Sequence, residues 1–459
     1  MKIKSLKYIK FTLFAALVIG GGPGLSASHA REGTVDPSLV ECYAPQGEII
    51  TLREPFFEGV LSAWHILYAE GGMDSFSDIA VLDAGHIVAA GSYNKGKDDT
   101  GYRPLLVKFD ERQKPVWIVR EEGAAHKTIQ RLYEVNGGFT VIGNIDDAEK
   151  GRGIYIGSYN EDGSVRGKAV PFFEKGGRLD ARAFVPSQDG KGYIIAAQFI
   201  DDRDEEKQRG ILMKISKAGE LVWKRSYTAG RSTVFNNIQT AQDGSHMVSG
   251  QIVTDGNKSS GWFLVVDDNG AVKWQETYPR GLAATFQAAG QAENGDYILI
   301  GKSRSQDHEQ EGLAAWIMRT DSKGKMIWQR FLQGAYIYDA PDLIVYEDGR
   351  ASVLLNAGGL RGDQRSHVRL VTLSPTGAIQ HVEDFTDGQN AAASRLVPGY
   401  AGERILGGFA QTSFGEGQET NEAAAAPSYT YDGWVVAATA LDLYDNPCVR
   451  ENKASPILP

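Results

Sequence analysis

Metal-binding chemistry needs several ligands at one point, so the histidines are the first residues to place. The chain has eight: His29, His65, His86, His126, His246, His308, His367 and His381. No two stand at a His-x-His or His-x-x-x-His spacing, which would put two imidazoles on one face of a strand or helix. Calcium asks instead for clustered oxygens. Asp98-Asp99, Asp146-Asp147 and the run Asp201, Asp202, Asp204, Glu205, Glu206 could offer them. Their spacing is not that of a helix–loop–helix calcium site, and Lys207 and Arg209 intrude, so a solvated loop is the plainer reading. Calcium is the better guess, a transition-metal site assembled from distant blades also stays open, and no other cofactor is implied.

Nucleophiles are equally sparse. No Gly-x-Ser-x-Gly occurs, and neither cysteine is placed with a histidine as a catalytic pair. Gly20 to Gly24 and Asn356 to Gly359 lack the Lys-Ser/Thr of a phosphate loop. Carboxylates are too plentiful for any pair to stand out. Sialidase-type Ser-x-Asp-x-Gly-x-x-Trp signatures are not matched in register. No catalytic residue is nominated on these grounds.

The elements that would position any site come from a repeat. A Trp follows a turn-like Asp or Ser by seven residues at Asp110 to Trp117, Ser216 to Trp223, Asp267 to Trp274 and Asp321 to Trp328. Two copies keep the spacing without the Trp, ending at Gly167 and His381, and Trp64 matches the second half of the unit alone. The period is 50 to 56 residues, seven times over, within the range of propeller blades. A second marker runs in phase: a turn, then an apolar run closing at Gly91, Gly143, Ala197, Gly250, Gly301, Asn356 and Gly408. Each unit reads as four short strands with Asp-Gly or Asn-Gly turns. The expected fold is all-β, a seven-bladed β-propeller of four-stranded blades. The last unit runs out after Gly433 to Asp442, one strand short. The first strand, around Trp64, has nothing ahead of it. The N-terminal strand is therefore expected to complete the C-terminal blade.

Cys42 precedes the first Trp strand and Cys448 follows the last strand, so both are expected at this seam. A disulfide there would close a very long loop, and loop entropy assigns it roughly 5 kcal/mol. Two unpaired thiols are the alternative.

The repeat also exposes the polar residues with the best claim to a site. Counting back thirteen residues from the small-residue marker lands near Asp78, Gln130, Asn237, Gln287, Asp342 and Arg395. In a propeller these would line the central channel. They could hold a sugar or another polar ligand, or simply wall a water-filled channel. The longest insertion, Ala410 to Gly433, is a further candidate, because loops on a rigid scaffold often carry binding residues.

The unit Asp-x-x-Gly-x-x-x-Trp resembles the quinoprotein-like (PQQ-like) β-propeller repeats, over about residues 60 to 445. The resemblance implies that Trp64, Trp117, Trp223, Trp274 and Trp328 pack between neighbouring blades. Members include quinone-dependent dehydrogenases and non-enzymatic scaffolds, both usually eight-bladed. The dehydrogenases carry adjacent cysteines, which are absent here, so no quinone site is carried over.

Compartment is read from the first thirty residues. Lys2, Lys4, Lys7 and Lys10 precede the apolar run Phe11 to Gly20, then helix breakers, then Ser28 and Ala30 before Arg31. That order is a signal peptide's. An uncleaved anchor is the alternative. The expected organisation is a signal peptide over 1–30, an extension over 31–59, the propeller over 60–448 and a tail over 449–459, in the periplasm or secreted. Net charge is −10, which argues against nucleic acid as partner. The expected protein is a monomeric, exported, non-enzymatic scaffold that recognises an envelope protein or a surface polysaccharide, with no membrane span in the mature chain. The alternative is a carbohydrate-active hydrolase or lyase using carboxylates at the channel mouth.

Overall fold

A computed structural model describes residues 48–51, 62–69, 72–94, 101–122, 126–254, 256, 258–304, 313–333, 336–358, 365–388, 390–412 and 430–441. Cys42, Cys448, Asp98, Asp99 and most of the insertion after Ala410 lie outside these residues.

The described chain is built of strands, with one short 3-10 turn at Asp83–Gly85. They form seven blades, spanning 73–120, 126–172, 177–227, 232–279, 283–333, 336–385 and 390–438. Strands within a blade pair antiparallel in chain order, and the first strand of each blade packs against the first strands of its neighbours around the ring. Middle strands are buried on both faces; Ile87–Asn94 is buried at every residue. Outermost strands such as Leu221–Tyr227 are largely exposed. The middle strands therefore read as continuous apolar runs, since each face meets a neighbouring blade.

The apolar interior divides into seven clusters, one at each junction between blades. The cluster between blades 7 and 1 is completed by Ile66 and Tyr68 of the strand Ser62–Tyr68. That strand pairs antiparallel with Thr430–Ala438, from Ser62 opposite Ala438 to Tyr68 opposite Gly433. The ring is thus closed by the N-terminal strand as fourth strand of the last blade.

A further pairing was not foreseen from the sequence. Ile49–Thr51, in the segment read as an extension, lies parallel to Met326–Gln333 as a fifth strand of blade 5. The amide of Phe331 donates to the Glu48 carbonyl at 2.7 Å. An outer blade strand presents a row of unpaired backbone groups, and this segment satisfies some of them.

The repeated turn follows from local hydrogen bonding. Asp110 Oδ1 accepts the amides of Arg112 and Lys114 at 2.9 and 2.8 Å. Asp267 and Asp321 do the same. Ser216 and Ser374 substitute with one such bond each. The glycine of the turn adopts positive φ and serves as a seat for the previous blade's tryptophan. A Cβ added at Gly163, Gly270, Gly324 or Gly377 would stand 2.8–2.9 Å from the ring of Trp117, Trp223, Trp274 or Trp328 respectively. In blade 2, Val170 takes the place of Trp against Gly219.

Candidate functional site

Every innermost strand is bulged at one corresponding point. The register shifts between Phe76 and Asp78, Ile129 and Arg131, Ala181 and Ala183, Phe235 and Asn237, Phe286 and Ala288, and Ala393 and Arg395. In blade 6 it shifts on both sides of Asp339. A bulge inserts an unpaired residue and bends the strand. The small-residue marker lies directly opposite: Gly91 pairs with Phe76, Gly143 with Ile129 and Gly250 with Phe235. A Cβ at Gly91, Gly143, Gly250, Gly301 or Gly408 would lie 1.8–2.0 Å from a carbonyl oxygen of the bulged strand. In these five blades the glycine lets the two backbones approach closely opposite the bulge, while Ala197 and Asn356 stand at the same place in blades 3 and 6.

Polar side chains around this bulge tie each blade to the next. From blade 1, Ser77 Oγ donates to the Ile129 carbonyl at 2.6 Å and Asp78 Oδ2 accepts the Leu132 amide at 2.7 Å. Asn144 accepts from Ala181 at 2.7 Å, and Gln198 accepts from Phe235 at 3.1 Å. Asn236 donates to the Phe286 carbonyl at 2.7 Å, and Gln287 accepts from Ala340 at 2.9 Å. Asn356 accepts from Ala393 and Asp342 from Leu396, each at 2.9 Å. Arg395 closes the circuit from blade 7 to blade 1, its Nε 2.8 Å from Asp78 Oδ1.

Of the six residues counted from the sequence, three meet. Arg395 also donates through Nη1 to Asp342 Oδ2 at 2.9 Å, so one guanidinium joins two carboxylates that are 1% and 2% exposed. Burial works against its charge; Asp342 and Asp78 outweigh that, and its pKa lies above the ordinary arginine value. The other three do not join this cluster. Gln287 bonds to Asp339 and Ala340. Gln130 reaches only Thr128 in its own strand, at 3.4 Å. Asn237 is buried, with Nδ2 unpartnered.

Arg131 was missed by one residue. It follows the bulge as Asp78 and Arg395 do, whereas the count from the marker stopped on the bulged residue, Gln130. Burial lowers the Arg131 pKa, Asp78 opposes this, and the like charge of Arg395 adds to it. Asn144 and Gln198 were missed too, although each stands one residue after a small-residue marker.

The cluster leaves little room for acid–base chemistry. Arg395 occupies the space between the two channel carboxylates, and Asp78 accepts the amides of Ile79 and Leu132 on its two oxygens. Asp342 Oδ1, Arg395 Nε, Asn237 Nδ2 and Arg182 Nε are among the buried polar atoms here with no protein hydrogen-bond partner; such groups ordinarily hold an ordered water.

Four of the described acidic residues considered for calcium have other partners. Asp147 and Asp201 accept turn amides, while Glu205 and Glu206 pair with Arg178 and Arg231. Among the described residues no three His, Cys, Asp or Glu side chains converge on one point. No helix among them is long and apolar enough to cross a membrane.

No family model matches the chain, and no curated protein matches it by sequence. Solved structures share its fold at low identity. Puromycin hydrolase, as the S511A mutant complexed with PGG, is 14% identical with a TM-score of 0.41, covering 76% of this chain and 52% of that one. The chain thus spans about half the length of that enzyme. The Penicillium chrysogenum alpha-L-arabinanase complexed with arabinobiose is 11% identical, TM-score 0.41, covering 68% and 97%. The β-propeller domain of the Trilobed protease from Pyrococcus furiosus is 10% identical, TM-score 0.41, covering 72% and 91%. All three TM-scores lie below 0.5, and the fold assignment rests on the strand pairing described above.

Proposed function

We propose that the chain is an exported, non-enzymatic binding scaffold that recognises an envelope protein or a surface polymer. The observation that supports this is the tied state of the channel. Asp78 and Asp342 are joined by Arg395 and each accepts a backbone amide of the next blade. Glycoside chemistry would need two carboxyls placed across a substrate, and here the intervening space holds a guanidinium. The Asp-x-x-Gly-x-x-x-Trp turns support kinship with quinoprotein-like scaffolds. Export rests on the order of residues within 1–30.

The test is a pull-down from the native envelope with residues 31–459, read by mass spectrometry and glycan analysis. A parallel sugar panel is assayed for turnover. A specific retained protein or polymer without turnover supports the scaffold. Turnover abolished by Asp78→Asn or Asp342→Asn would sink it. The Cys42–Cys448 bond belongs to the same reading. Reductant should lower the melting temperature of the wild type and leave Cys42→Ala unchanged; equal melting of oxidised and reduced protein removes the staple.

A further inference from the structure

The closing junction differs from the others. At four junctions a tryptophan is seated on a glycine of the next blade's turn. Between blades 7 and 1 the tryptophan is Trp64, and the turn position is filled by Gln113, which takes a φ of 62°. A cavity of about 180 Å³ opens there, lined by Trp64, Tyr400, Glu111, Glu403, Gln113 and Ala84, among others. Ala84 is the other described non-glycine residue at positive φ, also 62°. A non-glycine residue in this region costs roughly 1–2 kcal/mol, and such strain gathers where function holds it in place. Both strained residues line this one cavity.

Its chemistry is specific. Trp64 is half-buried and Tyr400 is 68% exposed, so two aromatic side chains border the opening. Two carboxylates flank them. Glu403 accepts the Ala401 amide through Oε2 at 2.9 Å and has no cationic partner among the described residues. Glu111 has His86 Nε2 at 3.3 Å on Oε2, and Arg112, itself largely exposed, at 3.9 Å on Oε1. Among the described residues no arginine or lysine lines the cavity. Aromatic side chains beside a carboxylate such as that of Glu403, which has no cationic partner among the described residues, attract a cation over the ring.

We infer that this seam cavity takes a basic side chain, lysine or arginine, presented by a protein partner. The partner's being a protein rests on the scaffold reading; the cationic specificity rests on the cavity itself. An uncharged sugar, which could also stack on the aromatic pair, would make no use of the negative charge.

The experiment titrates the full mature protein with N-acetyl-arginine amide and N-acetyl-lysine amide by calorimetry. N-acetyl-citrulline amide serves as the uncharged isostere and N-acetylglucosamine as the neutral sugar. Saturable binding of a cationic probe is expected, at least about tenfold weaker for citrulline, and about fivefold or more weaker in Tyr400→Ala and in Glu403→Gln, consistent with a cation–π contact and its carboxylate. Tyr400 is exposed, so Tyr400→Ala should melt with the wild type. Equal binding of arginine and citrulline, indifference to Tyr400→Ala, or saturation by the sugar instead would each overturn the inference. Capture of a protein partner equally by wild type and Tyr400→Ala, with no probe binding, removes the cavity and leaves the scaffold standing. Sugar turnover with probe binding intact removes the scaffold and leaves the cavity.

Discussion

Replacing Arg395 by methionine would leave the buried Asp78 and Asp342 carboxylates without their shared cation. Removing one partner of a buried ion pair typically costs about 3–5 kcal/mol, and urea denaturation should show a loss of that order. Arg395→Lys should recover part of it, because one ammonium cannot reach both carboxylates as the guanidinium fork does. A loss within error of an exposed substitution would mean that the cluster is not structural. Acid sensitivity belongs to this scale too. Lys214 bridges Asp189 at 2.9 Å and Asp268 at 2.5 Å, and buried His246 lies 3.2 Å from Asp268. The Asp268 carboxyl is desolvated, but its bonds from Lys214, Gln188 and His246 lower its pKa. Asp243 is held at about 2, chiefly by Lys273 and Ser245. Burial lowers the pKa of His246, against the pull of Asp268. In each case the folded state binds the proton more weakly than the unfolded one. The stability these groups contribute is therefore full above their unfolded values and is lost as pH falls through their folded ones. The urea midpoint should fall steadily from pH 7 to pH 3, and Asp268→Asn should flatten that slope. A midpoint independent of pH over this window would refute the assignment.

At the scale of the element, the small residue in the middle of each second strand is the informative one. It reads in the sequence simply as the end of an apolar run. It lies opposite a bulge whose inserted residues, Ser77, Gln130, Arg182, Asn236, Gln287 and Ser394, are all polar but differ in kind, so the bulge is not read from one residue type. Gly250→Ala would drive a Cβ to 1.9 Å from the Val234 carbonyl oxygen. Overpacking of this kind costs about 1–3 kcal/mol. Gly358→Ala meets nothing within 4 Å and should be close to neutral. Equal melting temperatures for the two variants would show that the bulge does not enforce the glycine. Conversely, Gln113→Gly relieves a strained turn and should gain on the order of 1 kcal/mol. That the turn needs an Asp or Ser was legible beforehand, because its hydrogen bonds are made within five residues. The one-residue error of Gln130 for Arg131 arises from the hairpin between the strands: Asp78 stands thirteen residues before Gly91, whereas Arg131 stands twelve before Gly143.

For the whole molecule, stability depends on the ring being closed. Each blade buries its faces only against two neighbours, so an opened junction exposes two of them. Ile66, on the closing strand, is 8% exposed within the cluster between blades 7 and 1. Ile66→Ala should cost about 2–5 kcal/mol. Hydrogen exchange should then rise first in residues 62–68 and 430–438, since among the described residues 62–68 pairs only with 430–438, which is held otherwise by Arg404–Thr412 and by one parallel pairing of Tyr431 with Met73. If exchange instead rises evenly around the ring, closure is not the weakest junction.

The sequence by itself determined the class of fold, the number of blades and the way the ring closes. Those follow from local chemistry repeated in phase: turn residues that bond to their own backbone, apolar runs of strand length, and an unmatched strand at each end. It also supplied Asp78, Asp342 and Arg395 as polar interruptions where an apolar core was expected. Only the tertiary structure decided that these three meet while Gln130 and Asn237 stay apart, and that Trp64 faces a cavity where other tryptophans face glycine. Residues from blades 1, 6 and 7 become neighbours because the chain travels around a circle. Distance along the sequence carries no record of distance across the ring.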